Sequence, residues 1–297
     1  MNRRDLFRMS TALGLTAALP VAAHARTAAT AAAAPIAPPA QGSIPVAFLL
    51  SRNAVVIDFA GPWEVFCNVA IPGRQDEPVF KLFTVAETLD PIKATGGMTI
   101  IPDYTFDTAP AAKVIVIPAQ GAANDATLAW VRKASRDADL TMSVCTGAFL
   151  LAKTGLLSGR AATTHHGAYA EFAMSFPDIT LKRGARFVEA GKFASSGGLS
   201  SGIDLALRVV ERYFGRAVAS TTANTLEYQG QGWRDPNANA AYAKRRASTD
   251  AHPLCPVCDM EVAKATSPSL SYRKRTYYFC MDAHKAMFEA RPAAYLG

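Results

Sequence analysis

Two stretches of the chain, residues 44–50 and 114–118, are short and almost wholly apolar, as strands are when a parallel sheet is covered on both faces. Between and after them, apolar residues recur with helical spacing over 61–70, 125–138 and 148–157. Strands alternating with helices predict an α/β domain with a doubly wound sheet, in which ligands bind at the carboxyl ends of the strands. The pattern lapses elsewhere. Residues 26–43 are Ala/Pro-rich and read as a flexible tether, and 233–250 are polar, with Lys244-Arg245-Arg246 a solvated basic run, and read as a linker. This leaves an α/β domain over 44–232 and a tail over 251–297.

Residues 1–25 have the layout of an export signal: Arg3 and Arg4 adjacent, Asp5, Leu6 and Phe7 after them, a small apolar stretch, then Ala23-His24-Ala25 as an A-x-A cleavage site. Asn2-Arg3-Arg4-Asp5-Leu6-Phe7 resembles a twin-arginine signal, which implies handling by the twin-arginine export machinery and delivery of an already folded protein to the periplasm. An ordinary secretory signal with a basic start is the alternative.

Composition is globular, with 50% hydrophobic and 19% charged residues. The net charge is +7, and cleavage after Ala25 would leave +5. With no dense basic face set against aromatics, this mild excess argues against nucleic acid as a partner. Outside the signal no apolar run reaches the roughly 18 residues that a spanning helix needs, so stable membrane insertion after cleavage is not expected.

The stretch Leu140-Thr141-Met142-Ser143-Val144 reads as a strand running into Cys145, and Gly147-Ala148 opens the next helix. That places a thiol at a strand-to-helix elbow, the counterpart of a hydrolase nucleophile elbow. A helix N-terminus is expected to lower the thiol pKa and so activate it. The competing reading is a buried structural cysteine.

Ser143-Val144-Cys145-Thr146-Gly147-Ala148, followed by Gly155-Leu156-Leu157-Ser158-Gly159-Arg160-Ala161-Ala162-Thr163-Thr164-His165, resembles the PfpI superfamily of glutamine-amidotransferase-like folds. Within it the chain is most similar to the isonitrile hydratase branch, which also supplies sensor domains to AraC-type regulators. Ile57-Asp58-Phe59-Ala60-Gly61-Pro62-Trp63-Glu64-Val65-Phe66, Ser196-Gly197-Gly198-Leu199-Ser200-Ser201-Gly202-Ile203-Asp204 and Leu226-Glu227-Tyr228 agree in order. The resemblance implies a flavodoxin-like sheet, a catalytic thiolate at Cys145, an acid/base carboxylate at Asp58 with Thr146 beside them, a small-molecule substrate, no cofactor in the α/β domain, and room for a homodimer.

Three departures bear on activity. Where the family has Pro-Gly-Gly after its central strand, this chain has Pro118-Ala119-Gln120-Gly121, which restricts the backbone lining the site. Thr146 replaces the His of protease-like members, which disfavours a Cys-His dyad. No helix-turn-helix region follows Tyr228. His165 and His166 read as rim or core groups, Asp204 as a helix cap, and Cys67 as buried packing.

The tail has 47 residues, too few to hold a fold by core burial alone. Cys255-x-x-Cys258, 21 intervening residues and Cys280-x-x-x-His284 supply the ligand spacing of a tetrahedral metal site in a small metal-stapled α+β domain. Pro256-Val257-Cys258-Asp259-Met260, Tyr272, Tyr277-Tyr278-Phe279-Cys280, Phe288, Pro292 and Tyr295 resemble a YHS domain, and the opening also resembles that of NosL-type copper lipoproteins. His284 stands where the YHS family has a third Cys, and Cys255 is additional. Cu(I), with Met260 as a further donor, and Zn(II) both suit the set; a Cys-x-x-Cys redox pair is the alternative.

Two functions compete on this reading. One is an exported isonitrile hydratase-like lyase with an appended metal-binding module. The other is a periplasmic copper or zinc binding or sensing protein whose α/β domain is a non-catalytic scaffold.

Overall fold

The computed structural model describes residues 33–297 apart from 75–76, 245–246, 258, 291 and 297. The signal sequence, residues 26–32 of the tether, and Cys258 therefore lie outside the described residues.

The strands are β1 (Ile44–Leu49), β2 (Phe80–Ala86), β3 (Ile92–Lys93), β4 (Thr99–Ile100), β5 (Tyr104–Thr105), β6 (Val114–Ile117), β7 (Leu140–Val144), β8 (Ala161–Ala162), β9 (Thr180–Leu181), β10 (Phe187–Ala190), β11 (Phe193–Ser196), β12 (Ser269–Tyr272) and β13 (Arg275–Tyr278). The helices are α1 (Val56–Cys67), α2 (Asp125–Asp137), α3 (Gly147–Lys153), α4 (Tyr169–Ser175), α5 (Ser201–Thr225), α6 (Asp282–Ala290) and α7 (Ala293–Leu296).

Seven strands form one sheet in the order β10-β11-β7-β6-β1-β2-β5, parallel except for the β10–β11 hairpin at one edge. The pleat sends alternate residues to opposite faces, which explains why the central strands are continuously apolar. Ile44, Val46 and Phe48 of β1 pack beneath α1 and α5, together with Val114 and Val116 of β6. Ala47, Leu49, Ile115 and Ile117 meet the α2 and α3 side. The α/β architecture predicted from the alternation is present, and a small C-terminal domain accompanies it.

Helix α1 begins five residues before the predicted start. Val56 donates its backbone N–H to Thr95 Oγ1 (3.1 Å), so a distant threonine holds the first turn and Pro62 lies inside the helix. Cys67, expected to be buried, is exposed at the end of α1. The 233–250 segment is less free than its composition implies: Trp233 is buried in the α1/α5 core, and Asn239 is buried against Arg186 and Ser201.

The tail does have an apolar centre. Phe288 of α6 is fully buried, with its ring centroid 5.0–6.1 Å from those of Tyr272, Tyr277, Phe279 and Tyr295. Tyr295 Oη donates to Met174 Sδ (3.3 Å), which ties this cluster to α4. Among the described residues, no helix is long and apolar enough to cross a membrane.

Candidate active site and candidate metal centre

Strand β7 ends at Val144, and the next residue, Cys145, turns the chain with φ +56. Such a conformation is costly for a residue with a Cβ. Here it is fixed from two sides: the Cys145 N–H donates to Gly197 O (3.0 Å), and its carbonyl accepts from Thr164 Oγ1 (2.9 Å). Gly147 lets α3 start against the sheet, since a Cβ there would lie 2.2 Å from the Ile117 carbonyl oxygen and 2.8 Å from that of Pro118. The strand-to-helix elbow read from the sequence is thus built from β6, β7 and the loop after β11.

Asp58 comes from the first turn of α1, where its residue is fully buried. Its Oδ2 accepts the Ala119 N–H (3.1 Å), and the Cys145 thiol bonds to the same carboxyl. Burial raises Asp58 from its ordinary 3.8 to about 7, against the opposing effect of those two hydrogen bonds. Cys145 is pushed up to about 11, first by burial and then by the Asp58 charge; hydrogen bonds from the Leu199 and Thr146 backbone and from the Thr146 side chain oppose the rise.

The lowered thiol pKa expected from the elbow is therefore overturned. Helix α3 has only seven residues, and its partial charge is outweighed by desolvation beside a carboxyl group. At neutral pH the sulfur holds its proton, and the neighbouring carboxyl is poised to take it.

Asp58, Cys145 and Thr146 converge as the sequence motifs imply. Ala119 belongs to the turn singled out as lining the site, and its amide serves Asp58; the Leu199 amide was not foreseen, because main-chain donors carry no residue signature. A cavity of about 280 Å³ adjoins the elbow, lined by Gln120, Thr146, Gly147, Phe149, Lys153 and Glu171. His165 stands on the other side, its ring against Gly198 and 4.3 Å from that of His166, which stacks on Tyr242 at 4.7 Å. Burial and His166 lower the His165 pKa.

Asp204 is not a helix cap. It is fully buried; its Oδ2 meets Arg186 NH2 at 2.5 Å and accepts from Arg186 Nε (2.6 Å) and Tyr228 Oη (3.0 Å), tying α5 to β10 and the segment after α5. The motif Ser200-Ser201-Gly202-Ile203-Asp204 thus serves the fold around the site.

In the tail, Cys255, Cys280 and His284 converge, their ligand atoms all within 4.8 Å of one another. Cys280 Sγ lies 3.0 Å and Cys255 Sγ 3.7 Å from His284 Nδ1. A tetrahedral ion bound at ordinary Zn–S and Zn–N lengths would set such S···N separations near about 3.6 Å, so the donors need only small adjustments. The Cys255 N–H donates to Met260 O (2.8 Å), and Asp259 N–H returns to Cys255 O (2.9 Å), which holds Asp259 and Met260 close to Cys255.

A doubly wound sheet with a cysteine at a strand-to-helix elbow and a carboxyl beside it defines a class of α/β proteins. The DJ-1/PfpI family profile matches residues 45–212, and the chain belongs to that family. It is 28% identical over 218 residues to isonitrile hydratase of Pseudomonas putida, covering 69% of this chain and 91% of that enzyme. It is 26% identical over 189 residues to the HTH-type transcriptional regulator GbdR of Pseudomonas aeruginosa, covering 62% of this chain. The chain spans about half the length of that regulator, 50%. Among solved structures, a ThiJ/PfpI family protein of Pseudomonas syringae superposes with TM-score 0.55 at 26% identity, over 64% of this chain and 77% of that one. DJ-1beta of Drosophila melanogaster gives TM-score 0.53 at 18% identity over 63% and 98%, a likeness of fold.

Proposed function

We propose that the α/β domain is an exported cysteine enzyme of the isonitrile hydratase type, adding water to an isocyanide to give an N-substituted formamide. The observation that carries this reading is the buried pairing of Asp58 with Cys145. As the sulfur attacks the terminal isocyanide carbon, its proton passes to the Asp58 carboxylate, which then protonates that carbon to leave a Cys145 thioimidate. Asp58 next draws a proton from water as its oxygen adds to the same carbon, and hands that proton to the nitrogen. The hydroxyl then gives its proton through Asp58 to the sulfur as the C–S bond breaks and C=O forms, so the thiol is restored and the formamide leaves. The Leu199 and Thr146 amides support the sulfur while it carries charge. The 28% identity to an isonitrile hydratase supports the same chemistry.

The test is incubation of the purified protein with an alkyl isocyanide and measurement of formamide. Activity should rise with pH through about 7, as the Asp58 carboxylate forms. Cys145→Ala should abolish it, and Asp58→Asn should reduce kcat by at least ~100-fold. Full activity in Cys145→Ala would overturn the reading. No formamide from the wild type would favour the rival, a periplasmic metal-binding or sensing protein with a non-catalytic α/β scaffold. A thiol held near 11 and the relation to regulators support that rival.

A metal-binding tail is part of both readings and rests on the convergence of Cys255, Cys280 and His284. We infer a YHS-like module in which these three residues and Cys258 would hold one Cu(I) or Zn(II), the ion supplying cross-linking energy to a short domain. Metal analysis of the full chain recovered from the periplasm should find one such ion, lost in Cys280→Ser. Recovery of the chain from the periplasm would itself depend on Arg3 and Arg4 if the twin-arginine route is used.

A further inference from the structure

Of the motif residues that follow the elbow in sequence, Thr164 reaches back to the nucleophile. It is fully buried, and its hydroxyl donates to the Cys145 carbonyl oxygen (2.9 Å) across a separation of 19 residues. Its own place is fixed by its neighbour: Thr163 donates its N–H to Ser195 Oγ of β11 (2.8 Å) and its hydroxyl to Lys182 O, just after β9 (2.9 Å). The hydroxyl therefore meets the elbow from a segment anchored on two sides.

The Cys145 carbonyl and the Thr146 N–H belong to one planar trans peptide, in which oxygen and hydrogen point in opposite directions. Whatever holds the oxygen thereby aims the hydrogen. That N–H is one of the donors to the Cys145 sulfur, so a clamp on the carbonyl sets the direction of a donor to the reacting atom. Other contacts hold this peptide plane less firmly. The Cys145 N–H bond to Gly197 O (3.0 Å) belongs to the preceding peptide and extends the β7–β11 ladder, and the Ala148 N–H reaches the Cys145 carbonyl only at 3.5 Å. With φ +56 at Cys145, a conformation unfavourable for a residue with a Cβ, the elbow depends on such contacts to keep its shape.

We propose that Thr164 is a positioning residue for the reaction of Cys145: by holding the Cys145 carbonyl, its hydroxyl keeps the Thr146 N–H directed at the sulfur. This deepens the isonitrile hydratase reading and rests on it for the reaction served, while the geometry at the sulfur stands without it. As charge gathers on the sulfur during attack, and again as the C–S bond breaks, a fixed N–H stabilises it with no reorganisation. Thr164 meets the backbone of the elbow, so its effect falls on the rate of the step rather than on substrate binding.

The experiment uses the full chain with Thr164→Val, which keeps the shape and removes the hydroxyl, with Thr164→Ala should Val disturb the fold, and with Thr164→Ser, which keeps the hydroxyl. One readout is independent of hydration: alkylation of Cys145 by iodoacetamide at pH 9, followed by peptide mapping with Cys67 as the internal reference. Loss of the aimed donor should slow Cys145 about tenfold in the Val and Ala variants, the scale of one hydrogen bond to a charged group, while Ser stays within about threefold of wild type. A hydroxyl that served packing alone would, once removed, loosen the elbow and speed labelling, so faster or unchanged labelling in Val and Ala would overturn the inference. With an alkyl isocyanide as substrate, kcat should fall about tenfold in Val and Ala with KM within about threefold, and Ser should recover it. Slowed labelling with wild-type kcat would overturn the role in hydration. A wild type that forms no formamide, with labelling slowed in the variants, would refute the enzyme reading and leave the action of Thr164 on the sulfur standing.

Discussion

Asp58 and Ala119, 61 residues apart in sequence, are joined by a 3.1 Å hydrogen bond from the Ala119 N–H to Asp58 Oδ2. This bond sets the carboxyl of α1 against the end of β6, within reach of the thiol that follows β7. The central position of both strands in the sheet makes the contact rigid, and its burial gives the carboxyl a pKa suited to proton transfer near neutrality.

Asp58 makes stability depend on pH in a defined direction. Its folded pKa is raised, so between 3.8 and about 7 the unfolded chain ionises while the native carboxyl stays protonated, and stability falls as pH rises through that window. The displacement corresponds to on the order of 4 kcal/mol as an upper bound. Asp58→Asn should therefore stabilise the protein more at pH 8 than at pH 4, measured as the difference in Tm from wild type. An equal difference at both pH values would show that the carboxyl is not held neutral.

Thiol reactivity should follow burial rather than the elbow motif. Cys145 is 6% exposed, with its pKa raised to about 11, whereas Cys67 is exposed. With limiting iodoacetamide at pH 8, peptide mapping should find Cys67 alkylated at least tenfold faster than Cys145. Faster labelling of Cys145 would restore the idea of a resting thiolate.

Gly147→Ala tests the elbow as a packing device. The added methyl would overlap the Ile117 and Pro118 carbonyl oxygens, so α3 must retreat from the sheet. A loss of roughly 3 kcal/mol in urea unfolding is expected, with any hydratase activity falling as Thr146 shifts. Wild-type stability would mean that α3 can move freely.

The Arg186–Asp204 pair should behave as a buried ion pair with a third partner. Asp204→Asn leaves the Arg186 guanidinium without its counter-charge and should cost about 3–5 kcal/mol. Arg186→Met combined with Asp204→Leu should recover part of that loss, because neither charge is then left buried alone. A single variant within 1 kcal/mol of wild type in denaturant unfolding, on the scale of an exposed pair, would show that the site is solvated.

Much of this protein follows from local pattern. The apolar runs at β1 and β6 reveal a sheet covered on both faces because alternate residues of a strand must meet different layers, and in these two strands both layers are apolar. The elbow at Cys145 is legible because a strand, a small residue and a helix start are each encoded within a few positions. The pairing of Cys280 with His284 is likewise local, since Cys280 stands two residues before α6 and His284 in its first turn.

What only the tertiary structure decided are quantities that depend on distant neighbours. The pKa of Cys145 reverses the expected direction because desolvation and Asp58 act from α1, nearly ninety residues earlier in the chain. Asp204 changes from an expected cap to an ion-pair anchor because β10 brings Arg186 to it. The supposed linker is held in place because Trp233 finds the core left open beside α5. In each case the residue type is written in the sequence, but its electrostatic energy is set by the dielectric and the partners that folding places around it.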